Sequence, residues 1–193
     1  MRPPRQPQLT PSVKLLGGQD RLRQLTLYVA QECVAAARFG LVKLNKILWK
    51  ADFDSYAARR IPVTGRAYQK LAQGPAPKEM PRVLNDLLRD DRIKLELTDF
   101  GDGIIEKKPI AFGKPNMTFF TDADIAFVDA AIEYYWEFTG QETSDDSHGI
   151  AWASREIGQP MFYELAYLSD REIGPDQAQR FVNKSQSSGW RSQ

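Results

Sequence analysis

The stretch Lys43-Leu-Asn-Lys-Ile-Leu-Trp-Lys-Ala-Asp-Phe53 decides the fold, because its apolar residues recur at the spacing of one helical face. This periodicity predicts a helix over roughly 41–59. The next segment, Ile61-Pro-Val-Thr-Gly65, predicts a turn, since proline and glycine both interrupt a helix. Further along, Gln73-Gly-Pro-Ala-Pro77 predicts a loop that leads directly into another helix.

Helical periodicity continues on both sides of this centre. The predicted helices run from a cap at Asp20 to about Phe39, over about 78–90, from the capping-box variant Thr121-Asp-Ala-Asp124 to about Thr139, from Ser144 or Ser147 to near Gly158, and from Gly174 onward. Gly40 and Gly140 are placed at the C-terminal ends of the first and third of these helices.

The one convincing strand pattern lies at about residues 92–111. Ile93, Leu95 and Leu97 alternate with charged residues, which is typical of a half-buried strand. A glycine-containing turn and a second short segment follow, so the sequence predicts a β-hairpin that packs on the helical body.

The fold class predicted is therefore mainly α, a single helical domain with a small β-hairpin. The domain is expected to cover residues 19–182. Residues 1–18, which hold four prolines, are predicted to be a flexible leader, and the polar residues 183–193 a flexible tail.

Charge and composition reduce the number of functional classes that fit this sequence. Lysine and arginine total 26 against 25 aspartate and glutamate, and the net charge of +1 argues against nucleic-acid binding driven by bulk electrostatics. The single cysteine, Cys33, excludes an internal disulfide and fits a reducing compartment. The sequence shows no secretory signal and no apolar stretch of membrane length, so a cytoplasmic protein without membrane contact is expected.

The sequence holds no set of residues typical of catalysis or of metal binding. A single histidine, His148, excludes a centre built on several histidines, and no phosphate loop or dinucleotide fingerprint is present. Asp145, Asp146 and His148 could bind a cation, but carboxylates that complement a helix dipole are the favoured interpretation. Cys33 with His148 could form a nucleophile and base, but Cys33 lies on an apolar helix face and is interpreted as core. We therefore expect a non-enzyme without cofactor or metal.

Polar residues of the central helix support two kinds of role. By their spacing, Lys43, Lys46 and Lys50 form one ridge that could contact nucleic-acid phosphates or an acidic partner, although a solvated helix face is favoured. Asp52 is expected to tether the Thr64-Gly65 turn by accepting its backbone N–H groups.

Four further residues have a role that the sequence does not settle. Asn45 is expected to bond a neighbouring segment. For Trp49 and Tyr68, core packing and contact with a partner are equally compatible with the sequence. Trp190 lies in the polar tail, where it either docks on its own domain or anchors a partner.

In their order along the chain, these segments resemble the SocA-like Panacea antitoxin domain family. The resemblance rests on the helix Lys43–Phe53, on Pro62-Val-Thr-Gly65 followed by Tyr68, on Gly74-Pro-Ala-Pro77, and on Ser147-His148 with Trp152. It spans roughly residues 22–157. Two residues depart from the family pattern. Trp49 stands where the family often has tyrosine or phenylalanine, and Val63 stands where it often has isoleucine.

The resemblance implies a non-enzymatic antitoxin of a toxin–antitoxin system, often at phage-related loci, that neutralises a partner toxin by direct protein–protein binding. The toxin would be a protein encoded by an adjacent gene. One branch of the family is described as a protease adaptor, so delivery of the toxin to a cellular protease is an alternative, as is a nucleic-acid-binding regulator. The candidate motif and partner-binding residues are Lys43, Asn45, Lys46, Trp49, Asp52, Thr64, Gly65, Tyr68, Gly74, Pro75, Pro77, His148 and Trp152.

Overall fold

The computed structural model describes residues 9–168 except 37, 102 and 104, and these form a mainly helical body with two small antiparallel sheets. The helices are α1 (Gln19–Glu32), α2 (Leu41–Arg59), α3 (Met80–Arg89), α4 (Asp122–Tyr135), α5 (Gly140–Asp146) and α6 (Ile150–Ala153). The strands are β1 (Tyr68–Leu71), β2 (Gly74–Pro77), β3 (Ile93–Asp99), β4 (Ile105–Ala111) and β5 (Pro160–Met161), and a 3-10 helix covers Tyr163–Tyr167. Within the described ranges, no helix is long and apolar enough to cross a membrane.

Helix α2 lies at the centre of the fold, and its predicted bounds are confirmed. It packs on α1, α4 and α5, on β2 and on the 3-10 helix. The main core holds apolar side chains of α1 to α4, among them Leu25, Leu48, Leu87 and Val128, all fully or almost fully buried. Because each such side chain contributes about 2 kcal/mol when it leaves water, this core holds the four helices together.

The predicted β-hairpin is also confirmed. Strands β3 and β4 pair antiparallel, with Ile93 opposite Ala111 and Asp99 opposite Ile105. Ile93 is buried in the main core, whereas Leu97 is 65% exposed. The outer part of β3 is therefore exposed, whereas β4 contacts both α1 and α2.

A second sheet, which the sequence analysis missed, corrects the prediction of a loop at 73–77. Strands β1 and β2 form a hairpin with Tyr68 opposite Pro77, and β5 pairs with the other side of β1. Pro75 and Pro77 lack the N–H that a central strand needs, and β2 is accordingly an edge strand. The fold is mainly helical, but it carries two small sheets rather than one hairpin.

Several predicted helix ends at the N-terminal side were wrong. Helix α1 ends at Glu32 rather than near Phe39, and its N-cap is Gly18 rather than Asp20. Gly40 does not end α1 but stands at the N-cap of α2, with an extended φ of −137°.

The helices after residue 120 also differ from the prediction in their bounds. The capping box at Thr121 is confirmed, but α4 ends at Tyr135 instead of Thr139. Thr139 begins α5 with a second capping box, in which Glu142 is the partner. His148 lies between α5 and α6 rather than inside a helix. Three helices, α4, α5 and α6, therefore stand where the sequence predicted two.

The N-terminal residues 9–18 lie against the domain. Val13 donates its N–H to the Gly65 carbonyl at 2.9 Å, and the Thr10 carbonyl accepts from the first residue of the 3-10 helix at 3.0 Å. These two hydrogen bonds attach the described part of the predicted leader, residues 9–18, to the rest of the fold. Outside the described residues lie residues 1–8, the predicted last helix from Gly174, Trp190 and the predicted tail 183–193.

Candidate functional site

The Asp52 carboxylate is the centre of a buried polar shell. Asp52 has none of its surface exposed. Thr64 donates its backbone N–H to Oδ1 at 2.5 Å and its hydroxyl to Oδ2. The Tyr68 hydroxyl donates to Oδ2 at 2.8 Å. Burial raises the pKa of Asp52, and the hydrogen bonds from Thr64 and Tyr68 oppose that rise. The prediction that Asp52 tethers this turn is confirmed.

Tyr163 belongs to the same shell, and the sequence analysis missed it. Its hydroxyl lies 3.4 Å from Asp52 Oδ2 and donates to the Arg66 carbonyl at 2.8 Å. Its ring stacks on Tyr56 with centroids 5.1 Å apart and packs on Phe53 at 5.2 Å. Residues 161–173 show no clear periodicity, so only their aromatic content could have indicated this packing.

Two lysines of the predicted ridge are buried, which contradicts both interpretations of that ridge. Lys43 is 1% exposed and Lys46 is 2% exposed. Lys43 Nζ donates to the carbonyls of Trp136 at 2.7 Å and Phe138 at 2.8 Å, just after α4. Lys46 Nζ donates to the Pro75 carbonyl at 3.0 Å. Both amines therefore hold together distant parts of the chain.

The third lysine of the set, Lys50, is also engaged. Its Nζ lies 2.8 Å from an Asp54 carboxylate oxygen and 4.4 Å from the centroid of the Tyr134 ring. No ridge of three exposed lysines exists on α2, so the nucleic-acid interpretation loses the surface on which it was based.

Gly74 allows β2 to pass close to α2 and to Ser147. Its φ is +92°, and a Cβ at this position would lie 2.1 Å from Ser147 Oγ and 2.5 Å from Lys46 Cε. Glycine alone adopts this φ readily and leaves that space empty. The Ser147 hydroxyl is buried and donates to the Ser144 carbonyl at 2.6 Å. The Gly74-Pro-Ala-Pro77 segment and Ser147 thus meet at α2.

His148 and Trp152 stack on each other. Their ring centroids are 4.0 Å apart with an interplanar angle of 21°. The Trp152 indole donates to the Leu71 carbonyl at 3.0 Å, and Lys70 Nζ lies 3.5 Å from the centroid of the Trp152 ring. Burial lowers the pKa of His148, while a hydrogen bond to the Ala72 backbone acts in the opposite direction. These contacts attach the His148 segment to the β1–β2 hairpin.

The structure gives no support to thiol chemistry at Cys33. The side chain is 1% exposed, and burial raises the pKa of the thiol to about 12. At neutral pH the thiolate that a nucleophile requires is therefore disfavoured. In the part of the chain that the structure describes, no group of three or more His, Cys, Asp or Glu side chains is placed to hold a metal ion.

Three buried polar atoms of the candidate residues have no hydrogen-bond partner among residues 9–168 as described. They are Asn45 Oδ1, Trp49 Nε1 and His148 Nε2. Asn45 and Trp49 are four residues apart on α2, so they lie on one face of the helix. The bond expected from Asn45 to a neighbouring segment is therefore not made by its Oδ1 atom. Because buried polar atoms are nearly always paired, an ordered water is the partner expected at each of these three atoms.

Lys46→Met is expected to change how stability depends on pH. Burial lowers the pKa of Lys46 from 10.5 to about 7, so between these pH values the unfolded chain binds more protons than the folded protein. The wild type should therefore gain stability relative to the variant from pH 7 to 10, by about 1.4 kcal/mol per pH unit. Below pH 6 the difference between the two proteins should be constant.

Urea unfolding at a series of pH values measures this difference. Lys78, an exposed lysine just after β2, provides the control, because Lys78→Met should leave the pH profile of the wild type unchanged. Parallel profiles for the wild type and Lys46→Met would contradict a lowered pKa at Lys46.

A comparison with known protein families matches the same segments of the chain. Residues 44–153, more than half of the chain, match the family described as "Antitoxin SocA-like, Panacea domain". The chain belongs to this family. No curated protein and no solved structure shows a significant match to the chain. The matched part of the Panacea domain begins in α2 and ends in α6, so it leaves out α1, β5 and the 3-10 helix.

Most candidate residues of this Panacea domain lie inside the fold. Asp52, Thr64, Tyr68, Lys43 and Lys46 are buried, so Tyr68 belongs to the core. Four candidates are partly exposed: Asn45, Trp49, His148 and Trp152. Their contact with a partner remains a prediction, but these are the candidate side chains that a partner can reach.

Proposed function

We propose that this Panacea domain is an antitoxin that neutralises a partner protein toxin by direct binding. The family match over residues 44–153 carries the proposal. The motif side chains around Asp52 and Gly74 are occupied with internal contacts, which leaves recognition to the surface of the domain. An interface of ordinary size, about 800 Å² per partner, fits on a domain of this length.

The test is growth of cells that express the adjacent open reading frame, with and without this chain. We expect the neighbour to arrest growth, this chain to restore it, and the two proteins to copurify at micromolar concentration. A harmless neighbour, or a toxic one that this chain neither binds nor neutralises, would count against the proposal for this gene pair.

The abundance of the toxin distinguishes sequestration from delivery to a protease. Direct binding predicts that the toxin persists in rescued cells as a complex with the antitoxin. Delivery predicts that its half-life shortens when this chain is present and recovers when the responsible protease is deleted. A persisting, copurifying toxin is the outcome expected here.

A further inference from the structure

A groove of about 640 Å³ lies between the C-terminal half of α2 and the segment that joins α5 to α6. Its α2 wall contains Trp49, Phe53 and Ala57, and the opposite wall contains Tyr135 and Asp146. The 3-10 helix borders it as well. The volume is in the range of pockets that bind small ligands or a few side chains of a partner.

The charges that line this groove favour a basic partner. The one cation, Lys50, is already paired with Asp54 at 2.8 Å. The Asp146 carboxylate accepts hydrogen bonds from the hydroxyls of Tyr134 at 2.8 Å and Tyr135 at 2.9 Å, but it forms no salt bridge within the described residues. The groove therefore carries one negative charge that no cation of the described chain balances.

Apolar side chains provide the reachable surface of the groove. Ala57 and Ala58 of α2 are exposed, and Leu168, which follows the 3-10 helix, is 45% exposed. Trp49 also lines the groove, but its Nε1 atom is buried, as is Phe53, so a partner can contact neither of these two groups directly.

We propose that the partner toxin binds in this groove through a segment with a basic side chain at Asp146. Aliphatic side chains of the same segment pack on Ala57 and Leu168. This assignment rests on the antitoxin function proposed above, and it adds to it the binding surface and the chemistry of the partner.

Charge variants at Ala57 test the groove, because this exposed residue of α2 lines it. Ala57→Arg brings a positive charge into the groove and should raise the Kd for the copurified toxin at least about tenfold. Ala57→Glu has a similar size but the opposite charge, and should change the Kd less than about threefold. Ala126→Arg, at an exposed alanine of α4 outside the groove, is the matched control and should bind like the wild type.

Other outcomes overturn the assignment. If Ala57→Arg binds the toxin as tightly as Ala126→Arg, the groove is not the interface. If Ala57→Arg and Ala57→Glu weaken binding equally, the basic chemistry of the partner is wrong. If Leu97→Glu at the exposed end of the β3–β4 hairpin abolishes binding while the Ala57 variants do not, the interface lies on that hairpin.

A peptide probe tests the groove without a toxin. The peptide Ac-Leu-Arg-Leu-Arg-Leu-NH2 should shift the NMR signal of the Trp49 indole N–H in the full chain, assigned with Trp49→Phe, whereas Ac-Leu-Glu-Leu-Glu-Leu-NH2 should not. Ala57→Arg should remove the shift. Equal shifts with both peptides, or none at millimolar peptide, would contradict the assignment. If growth rescue fails but the selective shift is seen, the antitoxin function fails while the preference for basic segments stands.

Discussion

Gly74→Ala is expected to lower the free energy of unfolding by roughly 2–5 kcal/mol, or to prevent folding. The left-handed φ of +92° strains any residue with a Cβ by about 1–2 kcal/mol. The Cβ would also lie 2.1 Å from Ser147 Oγ and 2.5 Å from Lys46 Cε. Both neighbours are buried, and overpacking of this kind costs about 1–3 kcal/mol more. Urea or thermal unfolding of the purified variant measures the loss.

The variant Gly158→Ala separates the backbone strain from the steric collision. Gly158 has a similar φ of +84°, but a Cβ there would meet nothing within 4 Å. The strain should therefore remain while the collision is absent, with a loss of about 1–2 kcal/mol. A second control is the double variant Gly74→Ala with Ser147→Ala, which removes the nearest colliding atom and should recover part of the loss. Equal losses at Gly74 and Gly158 would show that Ser147 and Lys46 move aside.

Asp52→Ala is expected to cost about 3–5 kcal/mol, because it leaves the buried donors of Thr64 and Tyr68 without an acceptor and opens a cavity between them. Asp52→Asn keeps the shape and one acceptor but places an NH2 group against donors, so an intermediate loss is expected. Urea unfolding and the toxin Kd should both be measured. The Asn variant keeps the comparison possible if the Ala variant does not fold.

Asp54→Ala is the matched control on the same helix. Asp54 is exposed and, among the described residues, forms its ion pair with Lys50 alone, so its removal should change stability by less than about 1 kcal/mol. If the free energies of unfolding of Asp52→Ala and Asp54→Ala differ by less than about 1 kcal/mol, the hydrogen bonds around Asp52 do not stabilise the fold as their geometry indicates.

The elements that sequence analysis predicted well are those specified by their own residues. Helix α2 and the β3–β4 hairpin follow from hydrophobic periods of 3.6 and 2 within single segments. The capping box at Thr121 needs only Thr121 and Asp124, three residues apart. Even the tether from Asp52 to Thr64 joins neighbouring parts of the chain.

The burial of Lys43 and Lys46 could not be predicted from α2 alone. Lysines at helical spacing usually indicate a solvated face. Here the acceptors are carbonyls of Pro75, Trp136 and Phe138, and the last two follow the end of α4, where carbonyls lack helical partners. Only the tertiary arrangement brings these acceptors to the lysines.

The β1–β2 hairpin was missed for a different reason. Each strand has four residues, and β2 contains two prolines, so neither a clear alternation nor a full ladder of donors is visible in the sequence. The groove proposed for the toxin is equally non-local, because its walls come from α2, from residues near Asp146 and from the 3-10 helix.

The contact between Asp52 and Tyr163 has a consequence for the timing of synthesis. These residues are 111 positions apart, so the ribosome needs roughly 6–22 s to add Tyr163 after Asp52. During that interval, Phe53 and Tyr56 lack the aromatic ring that later covers them. The packing around Asp52, Phe53 and Tyr56 is therefore completed only late in translation, after most of the chain has been made.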